Sequence, residues 1–383
     1  MPEATPAASP ARGPEKIHAL TSLRFFAALF VVCYHSVWTF LPWVRHDSPA
    51  GRVIALGYIS VSFFFLLSGY ILGVVYLRRG GPVRTWDFYK ARFARVYPLF
   101  FLTLVLDTPF LLTSRIATYG LKSALLKTAG TFLGNSFMLH AWFLQLRGID
   151  NPNWSLSVET LFYLTFPLIG VWLWKLRGPA FWLASAGIYI GGQALVIIAA
   201  RHISGDATEF LPYLHLTTFA LGILLARWQT LRQETHISAI QPVGLAPWLV
   251  ASIALAAFAA VVYYSPGSPT PLLCDGLLAP VFAAVIWAFS HSRWLPARML
   301  SPAWLVVLGE ASFGLYLFHI PVFHLFEWLG WVHTPALFPV YIGLSIGISV
   351  ASFYAYETPV RKWILKRGHS HVKETMEAAS GAQ

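Results

Sequence analysis

Charge is what this sequence lacks. Only 11% of its 383 residues are Asp, Glu, Lys or Arg, against about 25% in ordinary soluble domains, and that shortage excludes a water-soluble globule with a solvated surface. Cysteine is scarce too. Cys33 and Cys274 are the only two; both lie in apolar runs, too few for a disulfide framework or a zinc site. No pair of histidines stands with an acid or a cysteine at ligand spacing on one helix face, so neither a metal nor a permanently bound cofactor is expected. A cleavable signal peptide is not expected either: the first apolar run is too long for one and lacks a small-residue cleavage site after it.

What is abundant is hydrophobic surface, 57% of residues, gathered into runs of the length that crosses a hydrocarbon core about 30 Å thick. The 16 Trp and 16 Tyr, many near the ends of those runs, supply interfacial aromatic belts. The expected fold is therefore all-α, a polytopic transmembrane bundle of about ten spans over 19–40, 53–77, 96–113, 155–175, 180–200, 210–227, 246–264, 272–290, 303–326 and 337–356. Residues 1–16 and 366–383 read as polar tails around a membrane domain at 17–365. The segment 121–146 is apolar but holds Lys122, Lys127, Asn135, His140 and Gln145, and reads as interfacial or re-entrant. With both termini in the cytoplasm, nineteen of the 27 Lys and Arg fall on the cytoplasmic side and seven outside. That satisfies the positive-inside rule. It also accounts for most of the net charge of +11, so no nucleic-acid partner is expected; membrane lipids are.

Inside this apolar background a few polar residues stand out. The first span, TSLRFFAALFVVCYHSVWTF, carries Arg24 and His35. Eleven residues place them about 16 Å apart on one helical face. A charge near the middle of a bilayer costs about 2.5–3.5 kcal/mol; the pair either snorkels and packs, or works. NPNWSLSVETLFYLTFP places Glu159 just after Trp154 and Ser155, as a first-turn acid favoured by the helix dipole or as a buried acid that orients an imidazole. RRGGPVRTWDFYKARFARVYP holds Arg92 and Arg95, three apart and hence neighbours on one helical face. There they either serve topology or capture phosphates. GEASFGLYLFHIPVFHLFEW holds His319 past the midpoint of its span, with His324 and Glu327 near its outer end. His319 on its own reads as helix packing, Glu310 faces away from it, and Asp275 is a further, weaker candidate acid.

In order, LRFFAALFVVCYHS, SVSFFFLLSGYIL, RFARVYP, WSLSVETLFYLTFP, GEASFGLYLFHIPV and YETPVRKW resemble the membrane-bound acyltransferase 3 family over about residues 17–365. The resemblance implies transfer of an acyl group, commonly acetyl, from cytoplasmic acetyl-CoA or another coenzyme A thioester. The acceptor would be the hydroxyl of a glycan, a lipid-linked sugar or a hydroxylated natural product, and the location the inner (plasma) membrane. By position it implies His35 as the catalytic base or transient acyl carrier, with Glu159 supporting the imidazolium or positioning the acceptor at the outer mouth. It implies Arg24, Arg92 and Arg95 on the donor, Ser68 and Gly69 along the donor's route or merely in helix packing, and Trp154, Ser155 and His319 on the acceptor. Some relatives carry a fused esterase-like domain; with eighteen residues after Leu365, none is expected here. The competing class is a transporter or flippase, since intramembrane Arg, His and Glu also mark ion pathways. The two halves show no convincing repeat of the kind such folds often have. A glycan-assembly scaffold would leave the buried ionisable residues unexplained.

Overall fold

A computed structural model of the chain describes residues 17–78, 83–203, 205–235, 246–264, 270–291 and 294–366. The expected tails, save residue 366, and Arg12, Lys16, Arg79, Arg293, Arg367 and Lys373 of the charge pattern lie outside the described residues. The rest is a helical bundle. Nine helices among the described residues are long and apolar enough to span a bilayer: α1 (His18–Phe40), α2 (Pro49–Leu77), α3 (Thr85–Tyr119), α5 (Trp154–Trp174), α6 (Gly178–His202), α8 (Ala246–Tyr264), α9 (Pro271–Phe289), α10 (Ala303–Trp328) and α11 (Pro335–Lys366). Two more complete the set, α4 (Leu121–Ser136) and α7 (Pro212–Thr235). Helix α7 falls on the sixth expected span, 210–227, but is not among the nine. Its environment supplies the reason. It packs against α2, α5 and α6, burying Leu214, Phe219, Ala220 and Ile223, and a helix enclosed by other helices can carry His215, Thr218 and Arg227 without presenting them to lipid.

Helix ends follow local chemistry. Ser48 caps α2, its Oγ accepting from the Gly51 N–H at 3.1 Å, and Pro49 takes the first helical position, where a missing N–H costs nothing. Gly120, at φ +75°, lets the chain reverse between α3 and α4 where a side chain would be strained. Helix α3 has 35 residues, about 52 Å, more than a bilayer core needs. Helix α4 folds back along it, with Phe101 and Phe132 ring centroids 5.9 Å apart and the Tyr97 hydroxyl donating to the Ser136 carbonyl at 3.1 Å. At 16 residues, about 24 Å, α4 is shorter than a bilayer core and is not among the nine candidate spans. Irregular backbone at 137–153 then leads to α5. Some of the buried polar groups there are answered within the protein. Asn135 donates to the Leu146 carbonyl at 2.6 Å, and His140 Nε2 to the Asn153 carbonyl at 2.8 Å, while His140 Nδ1, Asp150 Oδ1 and Asn153 Oδ1 have no protein partner.

Both described ends of the chain lie at one end of the bundle, the terminal end. There α1 and α10 start side by side, and Lys90 of α3 donates to the carbonyl of Leu365 at 3.3 Å. Close crossings depend on glycine. A Cβ on Gly309 would lie 2.0 Å from the Thr21 carbonyl oxygen, joining α10 to α1. Gly69 and Gly222 do the same reciprocally for α2 and α7, 2.0 Å from the Phe219 and Leu66 carbonyl oxygens. Small residues that let backbones approach are how helices associate where no hydrophobic force separates protein from lipid. Gly309→Val should therefore cost about 1–3 kcal/mol by overpacking and lower the thermal midpoint in detergent. Gly187→Ala, where a Cβ meets nothing within 4 Å, should leave that midpoint unchanged or raise it.

Candidate active site

Five helices wall a cavity of about 170 Å³ in the terminal half of the bundle. Arg24 comes from α1, Ser68 from α2, Arg92 and Arg95 from α3, Ser155, Glu159 and Tyr163 from α5, and Ser312, Phe313 and Tyr316 from α10. Three arginines face one carboxylate in the lining. Each arginine is held differently. Arg92 lies over the Tyr76 and Phe88 rings, 5.6 and 5.9 Å from their centroids. Its Nη2 donates to the Tyr76 hydroxyl at 3.3 Å, while its buried Nε has no protein partner. Arg95 makes an ion pair with Glu357 and lies 5.5 Å from the Phe313 ring centroid. Arg24 is buried within electrostatic reach of Glu310 and Glu159.

Two imidazoles meet where α1 passes α10. His35 Nδ1 is 3.0 Å from the Val31 carbonyl oxygen and 3.3 Å from His319 Nε2. His319 Nδ1 is 2.7 Å from the Tyr316 carbonyl oxygen. A carbonyl only accepts, so both Nδ1 atoms carry the proton when the rings are neutral. His319 Nε2 is then an acceptor for the second branch of the His35 N–H. What remains is the Nε2 lone pair of His35, on the side of the ring away from both partners. Backbone carbonyls have fixed the tautomer of a potential base.

The residues singled out in the sequence separate into groups. Arg24, Arg92, Arg95, Ser68, Ser155 and Glu159 converge on the cavity, and His35 with His319 forms the imidazole pair just beyond Tyr316. Three expectations need correction. Gly69 does not face the cavity: one residue turns the helix by about 100°, and Gly69 presses on the Phe219 carbonyl of α7 instead. Trp154 is also absent from the lining and packs on Phe65, Phe210 and His215, with centroids 6.1, 5.1 and 5.3 Å away. Glu159 neither supports the His35 imidazole nor sits at an outer mouth; it accepts from Tyr163 at 2.5 Å and faces Arg92, Arg24 and Arg95. The reason is local: α5 packs its start among α2, α3 and α10, so Glu159 meets the arginines of α1 and α3 rather than the imidazoles.

Other groups were missed or misplaced. Asp275 pairs with His215 at 2.9 Å, both fully buried, and serves neither His35 nor His319. Tyr316 lines the cavity; its hydroxyl donates to the Pro152 carbonyl at 2.6 Å and lies 2.8 Å from Ser155 Oγ. Glu357 closes the wide π turn Phe353–Glu357 of α11, an irregularity common at functional positions. The signal for it lay in the quoted YETPVRKW. Among the described residues Asp107 and His324 also pair, at 2.6 Å.

An arginine-lined cavity and a tautomer-fixed histidine pair are thus buried polar features of this helical bundle. Comparison gives the class. Residues 17–354 match the acyltransferase domain model of the acyltransferase 3 family, and the chain belongs to that family: it is a multi-pass membrane acyltransferase. It is 29% identical over 328 residues to "Acyltransferase MdmB" of Streptomyces mycarofaciens, covering 80% of this chain and 79% of that one. To "O-acetyltransferase OatA" of Staphylococcus aureus (strain NCTC 8325 / PS 47) it is 24% identical over 379 residues, 91% of this chain but 58% of that protein's length. To "Nodulation protein 10" of Rhizobium leguminosarum bv. viciae it is 25% identical over 367 residues, 89% and 92% of the two chains. No solved structure matches.

Removing one partner of a buried ion pair leaves an uncompensated charge, so Glu357→Ala should cost about 3–5 kcal/mol, read as a lower thermal midpoint in detergent. Combining it with Arg95→Met should recover most of that loss; a single variant as stable as the parent would show that the pair does not hold α3 to α11.

Proposed function

We propose that the protein transfers an acyl group, acetyl, from coenzyme A to a hydroxyl of a carbohydrate or similar polyhydroxylated acceptor, in the plasma (inner) membrane. The observation that carries this reading is the unshared Nε2 lone pair of His35, set beyond a cavity whose lining is rich in arginine. Supporting it are the Arg92 Nε, buried and without a protein partner, and the crowding of Arg84, Lys90, Arg92, Arg95, Arg361, Lys362 and Lys366 around the terminal end. By the positive-inside rule that distribution supports a cytoplasmic terminal end, the compartment of coenzyme A.

In this reading the donor's phosphates engage Arg92 and Arg95, guanidiniums suited to bidentate phosphate contacts. The pantetheine arm runs past Arg24, Ser68 and Glu159 toward Tyr316. His35 Nε2 takes the acceptor's hydroxyl proton as the oxygen attacks the thioester carbonyl. A C–O bond forms, the C–S bond breaks, and the departing thiolate recovers the proton from the imidazolium as coenzyme A. His319 stabilises that imidazolium by accepting from Nδ1, so it acts through His35. Glu159, hydrogen-bonded to Tyr163, belongs to the donor's channel in this scheme.

Purified protein incubated with labelled acetyl-CoA and a panel of glycans, lipid-linked sugars and hydroxylated natural products tests the reading. Transfer should appear and fall about 10²–10⁴-fold in His35→Ala, with expression and thermal midpoint preserved; a His35→Ala variant with normal turnover would sink the assignment. Arg92→Ala should weaken coenzyme A binding about 10–100-fold, the worth of one charge-assisted contact. Unchanged affinity would return Arg92 to a topological role.

A further inference from the structure

The arginine cavity and the imidazole pair are neighbours without being one space. Tyr316 is in the cavity lining and neither His35 nor His319 is, although the Tyr316 and His319 rings have centroids only 6.0 Å apart. We infer that Tyr316 is a selectivity residue of the reaction: its ring closes the donor cavity against His35 and keeps water from the base until a donor arm displaces it. The inference rests on the function proposed above.

Each part of Tyr316 is tied to this boundary. Its ring stands 6.4 Å from that of Phe64, centroid to centroid, and both line the cavity. Its hydroxyl donates to the Pro152 carbonyl at 2.6 Å and lies 2.8 Å from Ser155 Oγ, at the start of α5. With its own proton spent on Pro152, the Tyr316 oxygen accepts from Ser155. Its backbone carbonyl receives His319 Nδ1 at 2.7 Å. Helix α1 shows the same division. Arg24, Val31 and His35 share one face. Arg24 lines the cavity, whereas Val31 is 1% exposed and belongs to one buried apolar cluster with Leu156 and Tyr316. Apolar side chains thus stand between the arginine and the imidazole.

The reaction gives such a barrier its use. A base that takes a proton from an alcohol takes one from water as well. The oxygen of water would then bond to the acyl carbon, the C–S bond would break, and the donor would be lost as free acid and coenzyme A. The barrier is releasable because polar contacts hold it. A pantetheine amide offers a carbonyl and an N–H, which can replace Pro152 and Ser155 as partners of the hydroxyl.

Access to the catalytic position tests this without turnover. His35→Cys is introduced into the full chain in sealed membrane vesicles. Sulfonatoethyl methanethiosulfonate, an impermeant anion suited to an arginine-lined cavity, is added at the terminal face. The introduced thiol forms a mixed disulfide with the reagent and releases methanesulfinate. The chain with Cys33 and Cys274 alone supplies the background. Reaction should be slow beside that of Thr85→Cys, exposed at the start of α3. Two substitutions are then added to His35→Cys one at a time: Tyr316→Phe, which keeps the ring and removes its hydroxyl, and Ser155→Ala, which removes one of its partners. Each should speed the reaction about two- to tenfold, the worth of one hydrogen bond, and Tyr316→Ala should exceed both. A His35→Cys rate equal to that of Thr85→Cys, or no acceleration by any of the three, overturns the inference. With His35 intact, Tyr316→Phe should raise acetyl-CoA hydrolysis in the absence of acceptor. Faster access with neither hydrolysis nor transfer from acetyl-CoA would leave the barrier standing and overturn the proposed function.

Discussion

Everything at the proposed centre depends on how closely α1 and α10 approach. Gly309 lies against the Thr21 carbonyl, where even a methyl group would collide, and from that crossing the two helices run side by side. Fifteen or so ångströms along, the same closeness lets the His35 and His319 rings touch at 5.3 Å between centroids. The contact is more than packing. Because each Nδ1 is tied to a backbone carbonyl one turn or less away, the pair has one neutral arrangement, and it leaves a lone pair free on His35. A looser crossing would let His35 turn to another partner, and the tautomer would no longer be set by the fold.

The second constraint is the cost of burying charge. Arginines inside a membrane bundle persist where they pair or meet a polar space. Here one is paired outright, Arg95 with Glu357; one is cushioned by aromatic faces with a donor in reserve, Arg92; and one lies near two carboxylates, Arg24. This graded satisfaction leaves the cavity with an unspent donor on Arg92 beside an aromatic wall that includes Phe64, Phe313 and Tyr316. The Asp107–His324 pair repeats the logic at the opposite end, a buried carboxylate whose oxygens are used up in fixing an imidazole.

Much of this was legible because α-helical periodicity is local. Eleven residues between Arg24 and His35, or three between Arg92 and Arg95, place side chains on one face without knowledge of the rest of the chain. The spans were legible for the same reason, α7 included, although its polar side chains are answered by neighbours that its own sequence does not reveal. What the pattern could not show were contacts across the chain. His319 lies 284 residues from His35 and Glu357 262 from Arg95. Glu159 was misplaced for the same reason: its neighbours Arg24, Arg92 and Arg95 come from two other helices. Ser68 and Gly69 show the finest grain: adjacent in sequence, one faces the cavity and the other a helix backbone, and only the neighbouring helix decides which.

A structure of the full chain bound to a non-hydrolysable acetyl-CoA analogue tests the central claim most directly. The phosphates should rest at the terminal end against Arg92, with the arm in the cavity and the acyl carbonyl carbon near enough to His35 that an acceptor oxygen fits between, about 3–3.5 Å from the carbon. An analogue seated at the His324 end, or one whose acyl group stops at Arg24 and never passes Tyr316, would contradict it.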